Sequence, residues 1–200
     1  EATGDYVWIA EADDDCDPDF LEIVLPPMAS SDVVMSYCES RQIDAEGRVL
    51  ADNYLDYCAF VDGGAAKFRR PYVADGKAEI LSSLAVMNTI PNVSAVLFRR
   101  EALANVFEEC FDEISAFRKA GDWLVYYRVL QRGSVAFSPR AANGHRRHQG
   151  GVIVGGDGKE LVSEIGRVQD IIAAEMDLSE ETRKRAADYR SLLCRQFGVP

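Results

Sequence analysis

The sequence predicts an α/β fold, a mixed sheet flanked by helices with a helical extension at the C-terminus, and three observations carry that prediction. Short runs of aromatic and β-branched residues alternate with segments of helical period, the order expected when a sheet is covered by helices. Nearly half of the 200 residues are apolar, 48 %, enough for one sizeable core. A Gly-rich stretch around residues 150–158 then separates residues 1–150 from a last piece, 151–200, made of polar amphipathic helices.

The elements follow in order. "DYVWIA" is short, aromatic and β-branched, hence a strand. In "DPDFLEIVLPPMA" Asp17 is placed to cap a helix, with Pro18 at its first position, where a missing N–H leaves nothing orphaned. Pro26 and Pro27 end or kink that helix. "DVVMSYCES" reads as a second strand, and "RQIDAEGRVL" as a hairpin or loop turning at Glu46-Gly47. Residues 51–75, with Gly63-Gly64 and Pro71, lack periodicity and read as a long irregular excursion. "GKAEILSSLAVMNT" is an amphipathic helix, and "NVSAVLFRREALANVFEEC" a strand running into another. "GDWLVYYRVLQRG" is a helix with Asp122 at its mouth and Gly133 at its stop, and "SVAFSPRA" a short strand. Residues 159–197 form two helices joined near Asp177 and Leu178, whose apolar stripes pack on the domain or on a second copy, giving a homodimer.

Charge and cysteines narrow the function classes. A net charge of -11 argues against nucleic acid and anionic membrane, because a phosphate backbone calls for clustered Lys and Arg. Five scattered cysteines without a C-x-x-C pair suit reduced thiols in a cytoplasmic protein. No apolar run approaches the roughly 20 residues that span a bilayer, and no signal peptide is evident. The chain opens without an initiator Met and enters a strand almost at once, the expectation for a fragment of a longer polypeptide.

Candidate chemistry lies at three places. The first strand runs into Glu11, Asp13, Asp14, Asp15, Asp17 and Asp19. Glu11 and Asp13, on alternate residues, point to one side of an extended segment and can share a cation. A calcium loop does not fit, since Pro18 stands at its turn-glycine position and Val24 at its last ligand. The bland reading, a turn and a helix cap, suits Asp17 and Asp19 best. Second, "RAANGHRRHQGG" holds both histidines, His145 and His148, among Arg140, Arg146 and Arg147. Arginine donates paired hydrogen bonds to phosphate and a neutral imidazole binds divalent ions, although a solvated turn would look alike. Third, Asp122 is either a helix cap or a general base, and Trp123 beside it is a stacking face or core.

Taken together these segments resemble the family 2 glycosyltransferases of GT-A fold, especially bacterial members that build surface polysaccharides. "ATGDYVWIAEADDDCDPDFLE" is similar to the strand that ends in that family's D-x-D motif. "NVSAVLFRREAL", "GDWLVYYRVLQRG" and "GHRRHQGG" resemble its later strand and helix, its acidic acceptor-side motif and its late Arg-rich segment. The likeness covers roughly residues 1–150 and implies a truncated GT-A-like sheet.

Carried over by position, the resemblance implies Asp13 and Glu11 as ligands of Mg²⁺ or Mn²⁺, with His148 as a further metal ligand. It implies Arg147, Arg146 and Asp14 at the donor diphosphate, Asp122 as catalytic base and Trp123 at the acceptor. The partners implied are a nucleotide sugar and a carbohydrate or lipid-linked acceptor, in the cytoplasm or peripheral to the inner membrane. Two departures stand out: Glu11 occupies an Asp position, and the family's opening strands with their base pocket do not precede it. Little activity is therefore expected of this chain alone. Two alternatives stay open, a non-catalytic glycosyltransferase-like interaction module and a nucleotidyltransferase of similar build.

Overall fold

A computed structural model describes residues 2–147 and 158–199. The elements are β1 (Tyr6–Trp8), β2 (Asp15–Cys16), α1 (Phe20–Val24), β3 (Val33–Ile43), β4 (Val49–Ala51), α2 (Gly64–Lys67), β5 (Tyr72–Ala74) and α3 (Gly76–Glu79). They continue with β6 (Val96–Arg99), α4 (Arg100–Ser115), α5 (Gly121–Leu130), β7 (Ser134–Arg146), α6 (Gly158–Glu175) and α7 (Glu180–Phe197). The architecture is mixed α/β: a seven-stranded sheet in the order β1-β6-β3-β7-β2, with β4 on β3 and β5 on β7. The central pair, β3 and β7, is parallel and every other pairing is antiparallel.

Side chains alternate across the sheet with the period of two that a pleated strand imposes. Val96, Phe98, Val135 and Phe137 enter the large core, while Leu97 and Ala136 enter a smaller one on the opposite face. The small core is closed by Phe20 and Val24 of α1 and by Met28. The large core is closed by α4 and α5 and by both C-terminal helices, through Leu161, Ile165, Val168, Ile172, Tyr189 and Leu193. Most residues of the stripes that the sequence left open to the domain or a second copy pack within the chain, Ile171 only in part, while Leu192 stays exposed. Helix α5 is apolar almost all round, as befits an inner helix. None of the described helices is long and apolar enough to cross a membrane. All five cysteines are free thiols, and burial pushes those of Cys38 and Cys58 up to about 12.

Several local expectations are corrected. Asp17 does not cap α1: the helix begins at Phe20, and the Asp17 carboxylate instead pairs with Arg41 of β3 at 2.5 Å. Asp19 does stand at the N-cap of α1, but its side chain makes no cap bond there and pairs with Arg140 at 2.5 Å. The segment expected to be one amphipathic helix from Gly76 is α3 capped by Asp75, followed by a π-helical turn over Ile80–Leu84. Gly76 is required there, because a Cβ would lie 2.0 Å from the carbonyl oxygen of Leu130 and 2.1 Å from that of Gly133. The expected short strand at 134–141 continues to Arg146, since β3 and β2 both bond its second half.

The excursion at 51–75 is no loose loop. It contains a 3₁₀ stretch (Leu55–Phe60), α2 and β5. Lys67 anchors it: Nζ meets Glu79 at 2.8 Å, Ser83 Oγ at 2.6 Å and Ser82 Oγ at 2.9 Å. Tyr72 and Tyr37 extend this buried network, their hydroxyls 3.1 Å apart. The anchor holds Tyr54 and Tyr57 over the site described next.

Candidate functional site

The acidic run and the basic segment, more than a hundred residues apart in sequence, meet because β2 pairs with the end of β7, Asp15 opposite Gly144. The N–H of Arg146 donates to Asp14 Oδ1 at 2.8 Å, and Asn92 Nδ2 donates to Asp14 Oδ2. Asn92 belongs to a buried polar chain with Ser40 and Asn143, so the position of Asp14 is fixed from inside. Arg146 Nε donates to the Asp13 carbonyl at 2.5 Å and Nη1 to those of Asp44, at 2.5 Å, and Ala45, at 3.1 Å. Its guanidinium is therefore a clamp on two loops. The backbone N–H of Glu11 donates to Ser94 Oγ at 3.0 Å, which holds the end of the acidic strand against the loop before β6.

Like charge is concentrated at this end of the sheet. Glu11 is pushed up to about 6, first by partial desolvation and then by repulsion from Asp14, Asp13 and Asp122. Asp122, in the first turn of α5, is pushed up to about 6 as well, by burial. Hydrogen bonds oppose that shift, among them Trp123 N–H to Oδ1 at 2.7 Å and Asn88 Nδ2 to Oδ2 at 3.2 Å. Asp122 is not the helix cap that one reading of the sequence allowed, for the N-cap residue is Ala120.

A cleft of ≈ 420 Å³ opens beside Asp122. Asn88 and Pro91 border it on one side, Tyr54 and Tyr57 on another, and Tyr189, Leu193 and Phe197 of α7 close it. His145 and Arg147, which alternate along the end of β7, line the same cleft. His145 Nδ1 lies 2.6 Å from the Tyr54 hydroxyl, and the two rings stack with centroids 5.8 Å apart. Burial lowers the pKa of His145 against the pull of Asp14, so the imidazole is neutral near pH 7. The hydroxyls of Tyr57 and Tyr189 are 2.6 Å apart and tie the excursion to α7.

The sequence-derived candidates therefore sit as follows. Glu11, Asp13, Asp14, Asp122, Arg146 and Arg147 are brought to one end of the sheet, and Asp122 and Arg147 line the cleft. Trp123 is 1 % exposed, with Nε1 donating to the Leu84 carbonyl at 3.1 Å, and serves as packed floor in place of an open stacking face. His148 lies outside the described residues. Sequence reasoning did not single out Tyr54, Tyr57, Asn88 or Tyr189, which carry no motif. His145, which the sequence offered with His148 in the basic segment, does line the cleft.

Glu11 and Asp13 are exposed residues of hard oxygen-donor type, and Glu11 is crowded by three other acids. Both oxygens of Asp14 already accept protein hydrogen bonds. Among the described residues no group of three or more His, Cys, Asp or Glu side chains is arranged to hold a metal. No known family model matches the chain, and no curated protein is significantly similar to it.

Proposed function

We propose that the chain is the catalytic and acceptor-binding part of an inverting glycosyltransferase, which moves a sugar from a nucleoside-diphosphate sugar to an acceptor hydroxyl. The reading rests on the resemblance to family 2 enzymes of GT-A fold, and one observation carries it furthest: a carboxylate titrating near 6, Asp122, borders a cleft within electrostatic reach of Glu11. A base of that strength is charged at neutral pH and still accepts a proton as the acceptor oxygen attacks the anomeric carbon. Asn88 and the Trp123 N–H fix which way its oxygens face. Arg147 offers positive charge to the departing diphosphate. Glu11 and Asp13 would hold Mg²⁺ or Mn²⁺, with remaining ligands from the donor. When bound, the ion stabilises charge on the leaving group. The reading places the reaction in the cytoplasm, in synthesis of cell-surface polysaccharide.

The test is transfer or hydrolysis of a panel of nucleotide sugars by the protein, with and without Mn²⁺. Turnover of at least one donor is expected, abolished by chelation, with an acid limb near pH 6. Asp122→Asn should lower kcat by about 10²-fold or more. The reading fails if no donor is consumed in the presence of metal, or if Asp122→Asn leaves the rate unchanged. A second reading, a non-catalytic module of similar fold, is favoured by one observation: Asp14 and the Arg146 guanidinium are already engaged inside the protein. It predicts no metal-dependent binding of any nucleotide sugar.

A further inference from the structure

Helix α5 begins without a polar residue of its own to cap it, because Ala120 has only a methyl group at the N-cap. The amide groups just before the helix are nevertheless satisfied, by a side chain from far along the chain. Glu164 of α6 accepts the N–H groups of Arg118 at 2.9 Å, Lys119 at 2.7 Å and Ala120 at 2.9 Å, the last two through Oε2, which also lies 3.1 Å from Arg118 N. It is 5 % exposed. Burial acts to raise its pKa, but the three amide bonds and the Arg167 charge outweigh it and hold the carboxyl below its ordinary range. An ionised carboxylate in such a clasp is a strong acceptor with tight geometry.

The clasp belongs to a continuous stripe. Glu160, Glu164 and Arg167 recur at the spacing that puts side chains on one helix face. Glu160 lies 3.6 Å from Lys119 Nζ. Arg167 donates to the Ala116 carbonyl at 3.2 Å and stacks over the Phe117 ring at 4.2 Å. Residues 116–120 are thus fixed to α6 along their whole length. Asp122 follows two residues later, and the hydrogen bonds its carboxylate accepts from Trp123 N–H and Asn88 Nδ2 depend on where that first turn sits.

We propose that Glu164 is a positioning residue for Asp122, acting through the amides of residues 118–120 to set the mouth of α5, so that the C-terminal helices are part of the catalytic apparatus. The inference rests on the reading of Asp122 as the proton acceptor. Small displacements of a reacting group cost large factors in rate, on the order of 10²-fold per ångström. Removing the clasp should therefore act on kcat and leave the donor KM nearly unchanged.

Three variants test this, each first shown to melt cooperatively, by turnover and by following the carboxyl ¹³C resonance of Asp122 against pH. Glu164→Ala is expected to lower kcat by about tenfold to a hundredfold and to move the Asp122 titration down toward that of an ordinary carboxyl. Glu164→Gln keeps an amide oxygen in the Oε2 place, which alone reaches all three N–H groups, and should restore most of the rate. Glu164→Asp, one methylene shorter, should reproduce the loss and stands in if the alanine variant does not fold. A folded Glu164→Asp or Glu164→Ala variant with wild-type kcat and wild-type Asp122 titration overturns the proposal. So does a glutamine variant as slow as the alanine one, since charge and not position would then be at work. Failure of the underlying reading looks different: Asp122→Asn would transfer sugar normally whatever Glu164 does.

Discussion

Asp122→Asn should make the protein more stable at neutral pH, although it removes hydrogen-bonding capacity from a half-buried site. Burial raises the Asp122 carboxyl from its ordinary 3.8 to about 6 in the folded state. The folded protein therefore holds this proton more tightly than the unfolded chain does. Stability is greatest below 3.8, falls as pH rises from 3.8 to 6, and stays low above that. The gap between the two values corresponds to about 3 kcal/mol. Asparagine carries no charge and escapes this penalty. It can still accept from Trp123 N–H, but its NH₂ faces the NH₂ of Asn88, and that lost bond costs about 1 kcal/mol. The net expectation is a gain of about 2 kcal/mol above pH 6 and a loss of about 1 kcal/mol near pH 4. Urea denaturation of both proteins across this range, with equal slopes, gives the difference directly. A variant no more stable than wild type at neutral pH, or a difference that ignores pH, would refute the argument.

Two further outcomes concern the frame around the site. Lys67→Met leaves Glu79, 3 % exposed, without its cation and should cost about 3 kcal/mol, whereas Lys67→Met with Glu79→Leu should recover most of that in the same urea experiment. Gly76→Ala should cost about 3 kcal/mol or more, seen as a lowered melting temperature, because its methyl would overlap two carbonyl oxygens that belong to backbone and cannot swing away.

What the sequence conveyed about this fold was what is decided locally. The strand at Tyr6–Trp8, the helix Gly121–Leu130 and the turn at Gly47, with φ 84°, follow from periodicity, helix-stop signals and turn chemistry. The two C-terminal helices are legible for the same reason. The second half of β7 was not, because Asn143, Gly144, His145 and Arg146 are poor strand formers drawn into the ladder by partners on both sides. Asp17 was misread because the cation that claims it, Arg41, sits on another strand. The site divides in the same way. An excess of acid at one strand end and of base near another suggested that they meet, and Glu11, Asp13, Asp14, Arg146 and Arg147 do lie together. Tyr54, Asn88 and Glu164 act only through tertiary placement, and no local pattern marks them. Trp123 beside Asp122 stayed open between stacking face and core, because burial has no signature in a single aromatic residue.

The central pair of the sheet joins Val33 to Ser134 in parallel, so that about a hundred residues must be looped out before the two strands can touch. Closing a loop of that length costs about 4 kcal/mol of chain entropy before any contact compensates for it. Folding should therefore be slow, limited by this single encounter. During synthesis, β3 must wait with that edge unpaired until β7 has been made, which gives the chain a window in which strand-to-strand aggregation competes with folding.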